Sequence, residues 1–200
     1  MKTAILARHA ESVFSVRAMM NGDPAIAGPL TEEGVEQARR LGEALRDEPI
    51  DLCVFTEFER TKKTADIALE GRDVPRLVVP EFNDINVGRF DGGPLETYLD
   101  WARTASPLDI PEGGESRAAA AARVASGGRG LLERHEDHLL VIAHGLPIRY
   151  LLLAVAGEGP RPVLEKVDYA TPYKVTRQEL LEAVDDLRRW AENPAWAGDD

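Results

Sequence analysis

The chain is poor in the features that mark secreted, membrane-spanning or nucleic-acid-binding proteins. Of its 200 residues one is cysteine, Cys53, set in an apolar run. No intrachain disulfide can form, and a reducing compartment is expected. No Cys/His cluster has zinc-ligand spacing, so no metal is expected. No apolar run approaches about 18 residues, which excludes an apolar membrane-spanning helix. The five apolar or β-tolerant residues before Arg8 are too short for a signal peptide, and a cytoplasmic location is expected. Positive charge is scarce: 24 Lys and Arg face 35 Asp and Glu, a net charge of −11. Such a chain is a poor partner for nucleic acid or an anionic membrane. An anionic ligand would need positive charge gathered locally. No GxGxxG or Walker pattern follows the first apolar run, so the common nucleotide folds lack support.

What is present is an ordinary globular balance, 44% hydrophobic and 30% charged. It suits one domain, read as residues 1–192 with a frayed tail at 193–200. Apolar runs at Thr3–Ala7, Ile50–Phe55, Arg76–Val79 and His138–Ala143 read as buried strands. Amphipathic stretches between them read as helices: Thr31 as N-cap with a helix to about Asp47, then Arg60–Leu69, Leu95–Thr104 and Glu115–His135. A further helix is opened by Pro147 as its first residue, and a last one runs over Thr176–Ala191. Gly127, Gly128 and Gly130 weaken the middle of the Glu115–His135 stretch. Val167–Val175 reads as an edge strand because it contains Pro172. Val13–Leu30 is a long loop. Strands alternating with helices argue for an α/β fold: a doubly wound, mainly parallel sheet with helices on both faces.

Three of these strands end on chemistry. Arg8-His9 follows the first, Arg60 the second and His144 the fourth. In an open α/β sheet, ligands meet the carboxyl ends of strands. Taken alone, Arg8-His9 is either a solvated strand exit or a nucleophile beside an anion-gripping cation. Convergence of two His and two Arg would make a compact cationic pocket, and Arg suits phosphoryl oxygens because its planar fork binds two at once.

Arg8-His9-Ala10-Glu11-Ser12, Leu30-Thr31-Glu32-Glu33-Gly34 and Gln37-Ala38 resemble the opening of the histidine phosphatase superfamily, the phosphoglycerate mutase-like proteins. The resemblance continues through Glu59-Arg60-Thr61 with Thr64-Ala65, Phe82-Asn83-Asp84 with Gly88, Gly113-Gly114-Glu115-Ser116 and Ala143-His144-Gly145. It keeps the family's order from residue 3 to about residue 155. It implies that His9 attacks phosphorus and becomes phosphohistidine, which water hydrolyses. It implies that Arg8, Arg60 and His144 bind the phosphoryl oxygens, with Gly145 beside them, and that Asp84 protonates the leaving oxygen, with no cofactor and no metal. Asp91 is the competing acid. Two positions depart from the family pattern: Ala10 stands where the family has glycine, and Ser15 where it often has asparagine. Ser15 can still hydrogen-bond a phosphoryl oxygen with a shorter reach.

Glu11 and Glu115 fit a cap or a pocket rim as well as chemistry, and Arg149 fits a structural role near the pocket edge. Phe14, Met19, Met20, Phe90, Tyr98 and Trp101 either line an apolar cap or belong to the core. Only Arg103 is basic between Gly92 and Glu112, thin material for a second anion site of the mutase kind. The expected function is therefore a phosphomonoester phosphatase acting on a small phosphorylated metabolite. The alternatives are a phosphoglycerate mutase and a non-catalytic phospho-ligand module. The edge strand near residues 167–175 would allow a homodimer.

Overall fold

A computed structural model describes residues 1–163 and 165–197. Five strands form one sheet: β1 (Thr3–Arg8), β2 (Leu52–Phe55), β3 (Arg76–Val78), β4 (His138–Ala143) and β5 (Pro172–Thr176), in the order β3-β2-β4-β1-β5. The first four run parallel, and β5 lies antiparallel on β1 at the edge. Pro172 lacks an N–H for a second neighbour, so the edge is where such a strand fits. The expected doubly wound, mainly parallel arrangement is the one found.

The central strands are apolar on both faces, as helices on both sides require. On one face Ala4, Leu6, Leu139 and Val141 pack with α5 (Arg117–Leu132), α6 (Gly145–Val155) and α7 (Arg177–Glu192). On the other, Ile5, Ala7, Cys53, Leu140 and Ile142 pack with α2 (Glu32–Ala44) and α3 (Glu59–Ala68). Cys53 is buried, and burial pushes its thiol up to about 12. It is a core residue without thiolate chemistry.

The helix α5 runs unbroken through its glycines. A Cβ on Gly128 would sit 2.4 Å from Val184 Cγ2, so its absence lets α5 and α7 approach closely. Three other expectations are corrected. Pro147 is the third residue of α6, not the first; the first turn has no intrahelical acceptor for its N–H, so proline is tolerated there too. The loop 13–30 contains a short helix, α1 (Val13–Val16), with Ser12 as N-cap. The tail is anchored as far as it is described: Trp196 is buried, donates to the Ala105 carbonyl at 2.9 Å and lies against Trp190. Residues 198–200 lie outside the described part. A third, smaller apolar cluster joins Ile85, Val87, Ala120 and the helix α4 (Leu95–Ala102) through Tyr98 and Ala102, above the carboxyl ends of the strands.

Candidate active site

The register of β1 on β4 pairs Arg8 with Ala143, so the next residues, His9 and His144, leave the sheet side by side. Their ring centroids are 5.3 Å apart, and both rings are buried. The His9 N–H extends the ladder by one bond, to the Ala143 carbonyl at 2.8 Å. Arg60, the second residue of α3, enters from the end of β2. Its guanidinium lies over Phe58, 4.2 Å from the ring centre, and lies between the two imidazoles.

Hydrogen-bond partners decide both tautomers. His9 Nδ1 lies 2.7 Å from the Ala10 carbonyl, which can only accept, so Nδ1 carries the proton. Nε2 is then bare and takes the Arg60 Nε–H at 3.2 Å. Arg60 Nη2 donates to His144 Nδ1 at 3.2 Å, which leaves the His144 proton on Nε2. That proton is given to Thr56 Oγ1 at 2.9 Å, and Thr56 bonds in turn to Thr61 at 2.8 Å. Burial, then the Arg60 charge, holds both histidines well below the ordinary imidazole range. His9 therefore presents a neutral, unprotonated nitrogen.

Asp84 closes the group. Its Oδ2 is 3.4 Å from Arg60 Nη2 and 3.6 Å from His144 Nδ1. Burial raises its carboxyl above the usual aspartate value against the opposing pull of Arg60. That favours a carboxyl able to give up a proton. Arg8 donates from Nη1 to the Val167 carbonyl at 2.9 Å and stacks on Tyr169, 4.0 Å from the ring centre. Its Nε is buried and has no hydrogen-bond partner among the described residues. Gly145 lies against this guanidinium: a Cβ there would come within 3.6 Å of Nε.

These groups face a cavity of about 490 Å³. Arg8, His9, Ser15, Arg60, Asp84 and Gly145 all line it. His144 stands behind them, reached through Arg60 and Asp84. Ser15 is on the wall, but its hydroxyl is engaged with Ser12 at 3.0 Å. Phe14, Met19, Met20 and Tyr98 line the cavity, whereas Phe90 and Trp101 pack behind Tyr98. Among the described residues no group of three or more His, Cys, Asp and Glu is placed to hold a metal ion.

The competing acids have structural partners. Asp91 accepts the Gly22 N–H at 2.6 Å. Glu11 accepts from Thr31, the N-cap of α2, at 2.7 Å. Glu115 pairs with Arg123 at 2.6 Å. Arg149 holds the carbonyls of Glu165 and Lys166, each at 3.0 Å. One contributor escaped sequence reasoning. Asn21 is buried and takes Arg60 twice, through Oδ1 and through its carbonyl at 3.1 Å. In the sequence it reads as part of an Asn-Gly turn, and nothing local marks it as an arginine partner.

Residues 4–192 match the family model of the histidine phosphatase superfamily (branch 1). The chain belongs to this superfamily. It is 35% identical over 127 residues to an adenosylcobalamin/alpha-ribazole phosphatase of Salmonella typhimurium, a match covering 60% of this chain and 61% of that protein. The match thus spans less than two thirds of that relative. Its namesake in Escherichia coli K12 is 29% identical over 161 residues, 76% of this chain and 78% of the relative. The crystal structure of the alpha-ribazole phosphatase from Shigella flexneri superposes with a TM-score of 0.74 at 26% identity, covering 86% of this chain and 89% of that one. These relatives are named as phosphatases.

Proposed function

We propose that the protein is a cytoplasmic phosphomonoester phosphatase that works through phosphohistidine on His9 and acts on a small phosphorylated metabolite. The observation that carries this reading is the neutral His9 nitrogen set among Arg8, Arg60 and His144, beside a carboxyl raised by burial. Nε2 attacks phosphorus, and the bond to the ester oxygen breaks. That oxygen keeps the electron pair and takes the proton of Asp84. The Ala10 carbonyl, already holding Nδ1–H, supports the positive charge that the ring acquires. Arg60 and Arg8 answer the charge on the phosphoryl oxygens, and His144 holds Arg60 from behind. The unpartnered Arg8 Nε is a donor that a bound phosphoryl oxygen would satisfy. Water then attacks phosphorus, Asp84 takes its proton, the P–N bond breaks, and its electron pair returns to His9. Every charge in this cycle is met by a group of the chain itself, so the reaction as drawn needs no metal.

The mutase reading lacks a free basic residue between Gly92 and Glu112. Arg103, the basic residue of that stretch, is exposed and already paired with Glu96 and Asp100. A non-catalytic phospho-ligand module would have no use for an unprotonated imidazole beside a protonable carboxyl. The test is a rapid denaturing quench at alkaline pH, where the P–N bond survives, of a ³²P-labelled phosphomonoester with the purified protein, with and without a chelator. Label on His9, free phosphate released, and at least about 10³-fold loss in His9→Ala are expected. Chelator-sensitive turnover, or turnover surviving in His9→Ala, would refute it.

A further inference from the structure

The chemistry described above uses one end of the cavity. A phosphoryl group has five heavy atoms counting the bridging oxygen, whereas about 490 Å³ lies in the range that holds a whole drug-sized ligand. Away from His9 the wall is largely apolar, with Phe14, Met19, Met20, Ile85, Leu95 and Leu99. Tyr98 of α4 and Arg117, the first residue of α5, interrupt it, and Glu165 and Lys166 also line the cavity.

Arg117 is buried, at 6% exposure. Its partners are all uncharged. Nε donates to Tyr150 Oη at 2.8 Å and Nη1 to Tyr98 Oη at 3.2 Å. Nη2 reaches the carbonyls of Arg161 and Pro162 at 3.4 Å each, both long. The Trp196 ring lies 5.9 Å from the guanidinium carbon. Among the described residues no carboxylate pairs with it. A buried cation without a counter-charge is costly, and such groups are normally paired. Four of its five protons are assigned by these bonds, which leaves one on Nη1.

Tyr98 adds a second donor. It is buried, and its oxygen accepts from Arg117, so its own proton must go elsewhere. Among the described residues it has no acceptor. A buried hydroxyl proton and a spare guanidinium proton thus meet in the wall of one cavity, on a cation that no carboxylate pairs among the described residues.

Resting on the phosphatase reading, we propose that Arg117 and Tyr98 form a second subsite that binds an acidic group of the leaving alcohol, a carboxylate or a second phosphate. The preferred substrate then carries its scissile phosphate at His9 and its acidic group at Arg117, with an apolar body between. The leaving group is selected by charge at its far end, and the apolar wall selects its width.

Binding tests this without turnover. Phenylphosphonate is compared by titration calorimetry with 4-carboxyphenylphosphonate, its longer 4-(2-carboxyethyl) homologue and 1,4-phenylene bisphosphonate. Wild-type protein should bind at least one acidic probe tenfold or more tightly than phenylphosphonate, and the three acidic probes report whether carboxylate or phosphate is preferred. Tyr98→Phe should cut that preference at least threefold, and Arg117→Leu should abolish it. Tyr98→Phe keeps the ring, so the question stays answerable if Arg117→Leu does not fold. Equal affinity for all four probes, or a preference untouched by Tyr98→Phe, would overturn the subsite. The phosphatase reading is read separately, from hydrolysis of phenyl phosphate and its 4-carboxy analogue. Turnover without an acidic preference sinks only the subsite, and an acidic preference in binding without turnover sinks only the phosphatase reading.

Discussion

The floor of the cavity hangs from three parallel strand ends, whereas its wall is assembled from a loop, the short helix α4 and the stretch around residues 160–170. On the floor, His9, Arg60, His144 and Thr56 bind one another side chain to side chain, and His9 extends the sheet ladder by its own N–H. On the wall, arginine side chains hold backbone carbonyls: Arg8 takes Val167, Arg117 takes Arg161 and Pro162, and Arg149 takes Glu165 and Lys166. The first arrangement holds each group through its neighbours' hydrogen bonds, as the proposed phosphoryl transfer requires. The second fixes a surface without specifying which side chains it shows. Chemistry is thus separated from recognition, and the wall can change without disturbing the floor.

The sharpest way to break this comparison is to remove the proton donor. Asp84→Asn should lower kcat by about 10²–10⁴-fold on an alkyl phosphate. The loss should be much smaller on 4-nitrophenyl phosphate, whose leaving oxygen needs no proton. The pH profile carries the same test. His9 must be unprotonated, and burial lowers its affinity for protons, so the acid limb of kcat/KM falls below the ordinary imidazole value. Asp84 must be protonated, and burial raises its pKa, so activity declines as pH rises through that value. Asp84→Asn should erase the alkaline limb. Equal losses on both esters with an unchanged profile would mean another group supplies the proton.

A smaller effect tests where the floor ends. Asn21 belongs to the loop by position but to the floor by its bonds to Arg60. Asn21→Ala should reduce kcat/KM roughly tenfold to a hundredfold, since hydrogen bonds to charged groups are worth about 1.5–3 kcal/mol. Steady-state kinetics with 4-nitrophenyl phosphate measure it, and a loss under twofold would return Asn21 to the wall. The smallest effect is expected at Ser15, whose hydroxyl is held by Ser12. Ser15→Ala should change kcat/KM by less than about threefold, the worth of a single weak hydrogen bond. A tenfold loss would show that the hydroxyl turns to the phosphoryl group on binding.

Much of the floor was legible along the chain. Strand ends followed at once by Arg8-His9 and His144 announce themselves, because an apolar run that stops on an imidazole breaks the pattern of burial. The order of the motifs carried Arg60 and Asp84 with them. The wall was not legible. Asn21 looked like a turn residue, and nothing along the chain singled out Arg117. Trp196 looked like part of a frayed tail, yet it is docked beside Arg117. Gly127 and Gly128 looked like weak points in a helix, and Gly128 proves to be where Val184 presses closest.

The amino-acid sequence alone pointed to the main strands and helices, their largely parallel arrangement, and the two imidazoles and two guanidiniums at the strand ends, because hydrophobic periodicity and strand-exit residues are local properties. Tertiary structure alone decided which imidazole nitrogen is bare, which acid has no other employment, and that Arg117 is buried without a counter-charge. Those facts depend on partners far away in the chain. Protonation and pairing are set by burial and by neighbouring charge, and neither exists until the chain has folded.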